Sequence, residues 1–472
     1  MADKANVLQN IVKNTRQEVE RRKQQCPLDT FQEKLTPSTR SLHDVMSAPG
    51  NRFILEYKRA SPSKGIIREN FNPKDCFDAY KGCADAISVL TDEKYFSGKH
   101  EYLKEISELS SVPVLCKDFF IDTYQVYEAR RFGADAILLM LSVLDDEQYR
   151  ELALVAKSLS MDVLTEVHSD IESQRAVALG AKIIGINNRD LKTLTIDLAT
   201  TERLAKTLPK DRLIISESGI ETRSDVSRLA SCVNGFLVGS SLMASKDVAK
   251  AAKKLVYGSV KICGITDSVS AEVAHQAGAS FLGLMFYQPS KRYVSVATAS
   301  EIAKSVAGNY VGVFVDESLD NIMATCRQVP LKAIQLHGHE SQSFARELRR
   351  ALSYEQQLWK ALPLTSSDHV SLIVDWLETV DKVVVDYQTK DQQGGSGKRF
   401  DWRWLTKLFE VCDSKNIVIA GGINIDNVTD LLIYPEATID LSSGVENQPG
   451  KKDPAKIQAF MNVCRMNGLV RK

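Results

Sequence analysis

Residues able to do acid, base or anion-binding chemistry recur at one kind of place in this chain, directly after short runs of Val, Ile, Leu and Phe. Glu56 and Lys58 close the first such run, Lys117 and Asp118 the third, Glu166 the fifth and Glu217 the seventh, while Asn187, Asn188 and Arg189 follow the sixth. In the second half Cys263 ends Val-Lys-Ile-Cys and Asp386 ends Val-Val-Val-Asp. Any one of these reads equally well as a solvated charge at a loop edge. A free cysteine by itself is more often a small buried hydrophobe. As sets they point to acid–base work. Two lysines with carboxylates exceed what a simple epimerase needs, and a thiol with a carboxylate suits proton shuffling on a sugar phosphate.

Glycine-rich segments supply the anion site that such chemistry implies. The first half carries Ser216-Glu217-Ser218-Gly219-Ile220 and then Val238-Gly239-Ser240-Ser241. The second carries Ala420-Gly421-Gly422-Ile423 and then Ser442-Ser443-Gly444-Val445, with Gly394-Gly395-Ser396-Gly397 as a further source of backbone amides. Glycine lets the backbone approach an anion that a side chain would hold off. One Gly-Gly pair is an ordinary turn. Paired motifs found twice in one chain point to two phosphate cups.

The elements that must position these residues are legible in the spacing. Apolar runs fall at 53–57, 86–90, 112–116, 136–140, 162–167, 183–186, 213–216 and 235–238, and stretches able to form amphipathic helices separate them. The pattern then starts again at 260–263, 281–286, 310–315, 333–336, 358–362, 382–386, 417–420 and 438–441. Such runs suit strands buried on both faces, and strand–helix alternation implies right-handed crossovers and a parallel sheet. Eight units in each half predict an α/β fold of two (β/α)8 TIM barrels in tandem, with domains 1–255 and 256–472 and Gly258 as a helix stop at the junction. One open sheet is the alternative, but sixteen strands exceed what a single sheet normally carries. On a barrel, all the strand-end residues of one half converge on one mouth, and the glycine motifs follow strands seven and eight, where barrel enzymes often bind phosphate.

Bulk composition narrows the function classes. At 472 residues, 44% hydrophobic and 25% charged, the chain reads as multidomain and globular. Lys plus Arg and Asp plus Glu are both 60, so the basic excess of a nucleic-acid binder is absent. No apolar run reaches the length of a membrane span, and residues 1–25 lack the apolar centre of a signal peptide. Nine scattered cysteines, an odd number with no Cys-x-x-Cys, fit free thiols in a reducing, cytoplasmic compartment. His337 and His339 have no partners at zinc spacing, so no metal is expected.

Five stretches of the first half, in order, carry a family likeness. Glu56-Tyr57-Lys58-Arg59-Ala60-Ser61-Pro62-Ser63-Lys64-Gly65 resembles the signature of indole-3-glycerol-phosphate synthase. Leu115-Cys116-Lys117-Asp118-Phe119, Thr165-Glu166-Val167, Gly185 to Leu191 and Ser216 to Ile220 resemble its later motifs. The family closes an indole ring: the aromatic carbon bearing the carboxylate attacks the sugar ketone, and carbon dioxide and water leave. That chemistry needs a cation at the carboxylate, an acid at the ketone oxygen and an acid–base pair for dehydration. The resemblance implies Lys117 as general acid, Glu166 as general base and Lys58 as holder of the carboxylate. Which lysine protonates at which step stays open. Other cations or desolvation are expected to lower a lysine's pKa towards neutrality. Glu56, Asn187, Arg189 and Glu217 would orient substrate and lysines, and Ser61, Ser218, Gly219, Gly239 and Ser240 would hold phosphate.

The second half resembles phosphoribosylanthranilate isomerase. Lys261-Ile262-Cys263-Gly264-Ile265-Thr266, Ser290 to Val294, Gln335-Leu336-His337-Gly338, the segment 394–397 and Ala420 to Ile423 are similar to that family's motifs in order. Asp386 is followed by Tyr387, where a smaller residue is expected. The reaction implied is an Amadori rearrangement. Asp386 would protonate the furanose ring oxygen, and Cys263 as thiolate would take the sugar C2 proton. A thiolate needs a depressed pKa, which Lys261 or Arg292 would supply if close. A regular strand is taken to turn Lys261 away from Cys263. Arg292 fits the anthranilate carboxylate better. Gln335, Gly395, Gly397, Gly421, Gly422, Ser443 and Gly444 would complete the substrate site, and His337 fits either a pocket wall or a core position.

The resemblance as a whole is to bifunctional synthase–isomerase enzymes of tryptophan biosynthesis, in which the isomerase product is the synthase substrate. It implies small phosphosugar–anthranilate substrates, no cofactor, and no nucleic-acid or membrane partner. Fusion removes the need for a dimer, so a monomer is the expectation. The competing readings are two generic phosphosugar isomerases, or tandem phosphosugar-binding barrels with one half non-catalytic.

Overall fold

The apolar runs are too short for helices and are buried along almost their whole length. In the computed structural model, which describes residues 7–62, 65–69, 72–190, 193–386 and 401–466, each becomes a strand. The chain divides after Leu255 into two compact units. Strands of the first are β1 (Arg52–Tyr57), β2 (Ala86–Leu90), β3 (Val114–Lys117), β4 (Ala136–Met140), β5 (Asp162–Val167), β6 (Ile183–Asn187), β7 (Leu213–Glu217) and β8 (Gly235–Val238). Each pairs in parallel with its sequence neighbours and β8 returns to β1, closing a barrel. The third strand starts two residues later than its apolar run, because Pro113 lacks the N–H a ladder needs.

The second unit repeats the plan. Its strands are β9 (Ser259–Cys263), β10 (Phe281–Met285), β11 (Tyr310–Phe314), β12 (Leu331–Leu336), β13 (Gln357–Pro363), β14 (Lys382–Asp386), β15 (Ile417–Ile419) and β16 (Thr438–Leu441). They close a second parallel barrel, with β16 pairing β9. The helix Val248–Tyr257 stops at Gly258, which takes φ +77°, a conformation other residues adopt only with strain.

Helix starts follow local chemistry. Asp122, Asp145, Ser169, Thr222, Asp267, Ser295, Ser318, Ser341 and Ser366 each accept a backbone N–H in the first turn of the helix they precede.

Alternation along the strands sets the interior. Ile54, Leu115, Leu164, Ile183, Ile215 and Leu237 plug the first barrel. Phe281, Val311, Ala333, Trp359, Val384 and Val418 plug the second. Side chains two residues further on point the same way, toward the C-terminal mouth. That step of two takes the chain from plug to functional residue.

Candidate active sites

In the first barrel the step of two runs from Ile54 to Glu56 and on to Lys58, from Leu115 to Lys117, from Leu164 to Glu166, and from Ile215 to Glu217. Ile183 leads through Gly185 to Asn187. Glu56 Oε1 lies 2.6 Å from Lys58 Nζ, and its Oε2 lies 3.2 Å from Lys117 Nζ. Lys117 Nζ also donates to Glu217 Oε2 at 3.0 Å. Asn187 Nδ2 donates to Glu166 Oε1 at 3.1 Å, and Asn187 Oδ1 accepts from the Arg189 backbone N–H.

Glycines on neighbouring strands make this cluster fit. A Cβ on Gly185 would sit 2.0 Å from Glu217 Oε1, and one on Gly239 would sit 2.5 Å from Glu56 Oε1.

The cluster drives its carboxylates apart in acidity. Burial alone would raise Glu56, but the charges of Lys117 and Lys58 outweigh it and bring the pKa down to about 2. Burial and the neighbouring Glu217 push Glu166 up to about 7 against the pull of Lys117. Burial opposes the charge on Lys117, yet Glu217, Glu56 and Glu166 hold its pKa well above the usual lysine value. The expectation of a lysine lowered towards neutrality fails for Lys117, because three carboxylates surround it.

Glu56, Lys58, Lys117, Glu166 and Asn187 line a cavity of about 400 Å³, with Glu217 reaching it through Lys117. Its polar rim includes Ser61, Arg189, Ser218, Gly219, Gly239, Ser240 and Ser241. Ser218 and Gly219 take φ +65° and +82°, which turns the loop after β7 sharply across the mouth. The apolar wall comes from Phe96, Phe119, Leu194 and Ile196, and from Val7, Leu8 and Ile11 of the N-terminal helix Val7–Gln25. Sequence reasoning missed this wall, although Val7, Leu8 and Ile11 already stood at helical spacing.

Two predicted members stand apart. Asp118 borders the cavity, but its carboxylate accepts from Thr91 Oγ1 and the Phe119 N–H. Asn188 binds Ser216, Ser218 and Thr201 behind the strand ends. Both sit one residue out of step with the inward face.

In the second barrel Lys261 and Cys263 share the inward face of β9. Residues two apart on a strand point the same way, so a regular strand brings Lys261 toward Cys263 and not away. Lys261 is fully buried, with its Nζ 2.6 Å from Asp440 Oδ2. A Cβ on Gly283 would sit 2.7 Å from the Cys263 sulfur, so the adjacent strand leaves room for the thiol. Burial pushes the Cys263 thiol up, and the charges of Lys261 and Lys452 oppose this only in part. The depressed thiol expected from the sequence is therefore not found, because burial outweighs the lysines.

Val384 leads to Asp386 and Ala333 to Gln335 and His337 by the same step of two. His337 Nε2 lies 3.8 Å from Asp386 Oδ2, and Gln335 Nε2 lies 2.9 Å from His337 Nδ1. Burial, then Lys261 and Lys360, bring His337 down to about 3, so it is neutral at physiological pH. It belongs to the mouth as well as to the core.

Arg292 makes a two-pronged contact with Glu446, Nε to Oε1 at 2.9 Å and Nη2 to Oε2 at 2.8 Å. Glu446 also accepts from Lys452 Nζ at 2.7 Å. A substrate carboxylate at Arg292 has to share that guanidinium with Glu446. Asp440, Glu446 and Lys452 escaped the sequence reading, although a charge inside Thr-Ile-Asp-Leu was the available signal.

Gly421 and Gly422, with φ +87° and +65°, follow β15, while Ser443 and Gly444 follow β16. Gly395, Gly397 and Tyr387 lie outside the described residues. Among the described residues no group of three or more His, Cys, Asp or Glu is placed to hold a metal ion, and no helix is long and apolar enough to cross a membrane.

Comparison with known proteins divides the chain in the same two parts. A family model described as indole-3-glycerol phosphate synthase matches residues 8–255, and one described as N-(5'phosphoribosyl)anthranilate (PRA) isomerase matches residues 260–463. The tryptophan biosynthesis protein TrpCF of Yersinia pestis is 45% identical over 460 residues, which is 98% of this chain and 94% of that protein. Its counterpart in Salmonella typhi is 45% identical over 459 residues, 97% of this chain and 99% of that protein. The solved phosphoribosyl anthranilate isomerase of Thermotoga maritima is 32% identical, covering 44% of this chain and 98% of that chain at TM-score 0.39.

Proposed function

Because the chain belongs to the bifunctional indole-3-glycerol phosphate synthase and phosphoribosylanthranilate isomerase family of tryptophan biosynthesis, we propose that residues 1–255 and 256–472 each run one of the two reactions with the side chains gathered at their own barrel mouth. The second barrel acts first in the pathway. Asp386 gives a proton to the furanose ring oxygen, and the ring opens to a Schiff base. Cys263, as thiolate, takes the C2 proton and becomes a thiol. The resulting enolamine tautomerises to the ketone.

The first barrel takes that ketone. Lys58 holds the substrate carboxylate, and the ring carbon bearing it attacks the ketone carbon. The oxygen receives a proton from a lysine acid, for which Lys117 is the choice. Carbon dioxide leaves and returns its electron pair to the ring. The new hydroxyl takes a proton from a lysine acid and leaves as water while Glu166 removes a proton from the adjacent methylene carbon. A pKa of about 7 suits Glu166 to that task, since it can accept a proton at neutral pH and return it. Glu56 and Glu217 keep both lysines charged and aimed, and Ser61, Ser218, Gly219, Gly239 and Ser240 take the phosphate.

The observation that carries this reading is the connected set Glu56, Lys58, Lys117 and Glu217, of which Glu56, Lys58 and Lys117 line one cavity together with Glu166. In the second barrel Gly421, Gly422, Ser443 and Gly444 are assigned to phosphate, Gln335 and His337 to the pocket wall, and Arg292 to the anthranilate carboxylate. The test is to supply phosphoribosylanthranilate to the purified, chelator-treated chain and follow both products. Indole-3-glycerol phosphate is expected from the parent and the ketose intermediate alone from Lys117→Ala. Full turnover by Lys117→Ala would remove Lys117 from the mechanism.

A further inference from the structure

Glu446 and Lys452 are buried charged residues that the proposed isomerase steps leave without a task. They pair across a short hairpin, Glu446–Gln448 and Lys451–Lys452, that follows β16. Lys452 Nζ lies 2.7 Å from Glu446 Oε1, and the two side chains are 1% and 4% exposed. Glu446 also accepts Arg292 Nε at Oε1 and Nη2 at Oε2, at 2.9 and 2.8 Å. A two-pronged contact of this kind fixes the plane of the guanidinium. The third nitrogen, Nη1, has no hydrogen bond among the described residues. The Arg292 side chain crosses Gly264, the residue after Cys263, where an added Cβ would meet Arg292 Cδ at 2.5 Å. The hairpin is fastened to the same strand end. Lys452 Nζ donates to Ser442 O at 3.1 Å, and Ser442 Oγ donates to Cys263 O at 2.9 Å. Thr266 Oγ1 donates to Gly450 O, at the hairpin turn, at 2.6 Å.

Buried ion pairs are poor evidence of stabilisation, because apolar residues of similar volume usually serve the fold as well or better. The charge and direction of this triad account for it better. One carboxylate between two cations leaves a single positive charge over, which matches one substrate carboxylate. We propose that Glu446 is a positioning residue of the isomerase: it aims Arg292 so that Nη1 meets the substrate carboxylate at a fixed place relative to Cys263, and thereby selects an arylamine that carries a ring carboxylate over one that does not. The proposal rests on the reading of Arg292 as the holder of the anthranilate carboxylate. Lys452 balances the charge of Glu446 and ties it, through Ser442, to the strand end that carries Cys263. Without Glu446 the guanidinium moves on a flexible stem, and the ordering that the parent site has in advance is lost at each binding event.

The test compares two substrates of the full chain: phosphoribosylanthranilate, and N-(5-phosphoribosyl)aniline, which differs only in lacking the ring carboxylate. Glu446→Ala is expected to lower isomerase kcat/KM on the first about tenfold, chiefly through KM, and to leave it on the second within about twofold. Arg292→Ala is expected to lose at least as much on the first, and adding Glu446→Ala to it to cost nothing further, since both changes remove one grip. Circular dichroism and the synthase activity of the same chain report folding. If Glu446→Ala fails to fold, Glu446→Ala/Lys452→Met removes both hairpin charges and is expected to show the same selective loss. Equal losses on the two substrates would mark a merely structural triad and overturn the proposal, as would unchanged kinetics. Tighter use of phosphoribosylanthranilate by the folded variant would show that Glu446 competes with the substrate for Arg292, and would overturn it too. Arg292→Ala with the parent kcat/KM on phosphoribosylanthranilate would instead overturn the reading of Arg292.

Discussion

In the first barrel Glu56, Lys58, Lys117 and Glu217 form one chain of contacts between 2.6 and 3.2 Å, and its first three members line a cavity of about 400 Å³. In the second, Cys263 and Asp386 end strands on different parts of the wall, with the fully buried Lys261 two residues before the thiol and His337 3.8 Å from the acid. The first mouth separates its acid and base roles by crowding: the lysines bring Glu56 down to about 2, while burial and Glu217 carry Glu166 up to about 7. The second places base and acid on strands that are not neighbours, β9 and β14, and sets the thiol among Lys261, Lys452, Arg292 and Asp440. Pairs of titratable groups pushed apart by their environment mark acid–base assignments, and one chain shows two ways to push them.

The largest expected effects come from removing a reacting group. Cys263→Ala should lower isomerase kcat by about a thousandfold or more and leave synthase turnover within about twofold, with Lys117→Ala doing the reverse. Parallel assays with each reaction's own substrate measure this, and a joint loss in a folded variant would break the two-site comparison. Glu56→Gln should cost the synthase about a hundredfold, since it leaves Lys58 and Lys117 without their shared anchor; the loss should fall on kcat more than on KM.

Smaller effects sharpen the comparison. Gly185→Ala puts a methyl group against Glu217, and Gly283→Ala puts one against the Cys263 sulfur. Each should reduce only its own barrel's reaction, by about tenfold, because a displacement of an ångström is enough to misplace a reacting group. Steady-state rates of both reactions on each variant check this.

The pH dependence distinguishes the mouths further. Synthase kcat should fall as pH drops through about 7, where Glu166 takes up its proton. Stability follows with a defined sign. The folded chain binds that proton more tightly than the unfolded chain, so this group costs stability as pH rises from 4.5 to about 7. The melting temperature of Glu166→Gln should therefore gain on the parent across that window and hold its lead above it. Glu56 works the other way: its contribution is present above 4.5 and is lost as pH falls towards about 2.

Much of this was legible in the sequence because strand periodicity and barrel topology do the positioning. Knowing that Ile54 plugs a barrel already places Glu56 and Lys58 at its mouth, and the same holds from Val384 to Asp386. What was missed falls into two physical kinds. The apolar wall from Val7, Leu8 and Ile11 depends on where a helix outside the barrel repeat packs, which periodicity does not give. The Lys261–Asp440 pair joins residues 179 positions apart through barrel closure, and a single run shows only one partner at a time. The direction of Lys261 was a plain error of parity, since a step of two keeps the face. The high thiol of Cys263 and the high lysine of Lys117 depend on burial and neighbours together, which motifs do not carry.

The most direct test of two complete and chemically separate mouths is to mix purified Cys263→Ala and Lys117→Ala chains, each inactive in the coupled reaction, and supply phosphoribosylanthranilate. Released ketose intermediate should pass through solution from one protein to the other, and indole-3-glycerol phosphate should form at a rate that rises with the concentration of both. A folded mixture that forms the intermediate but no indole product, or neither, would contradict the placement of one whole reaction in each barrel.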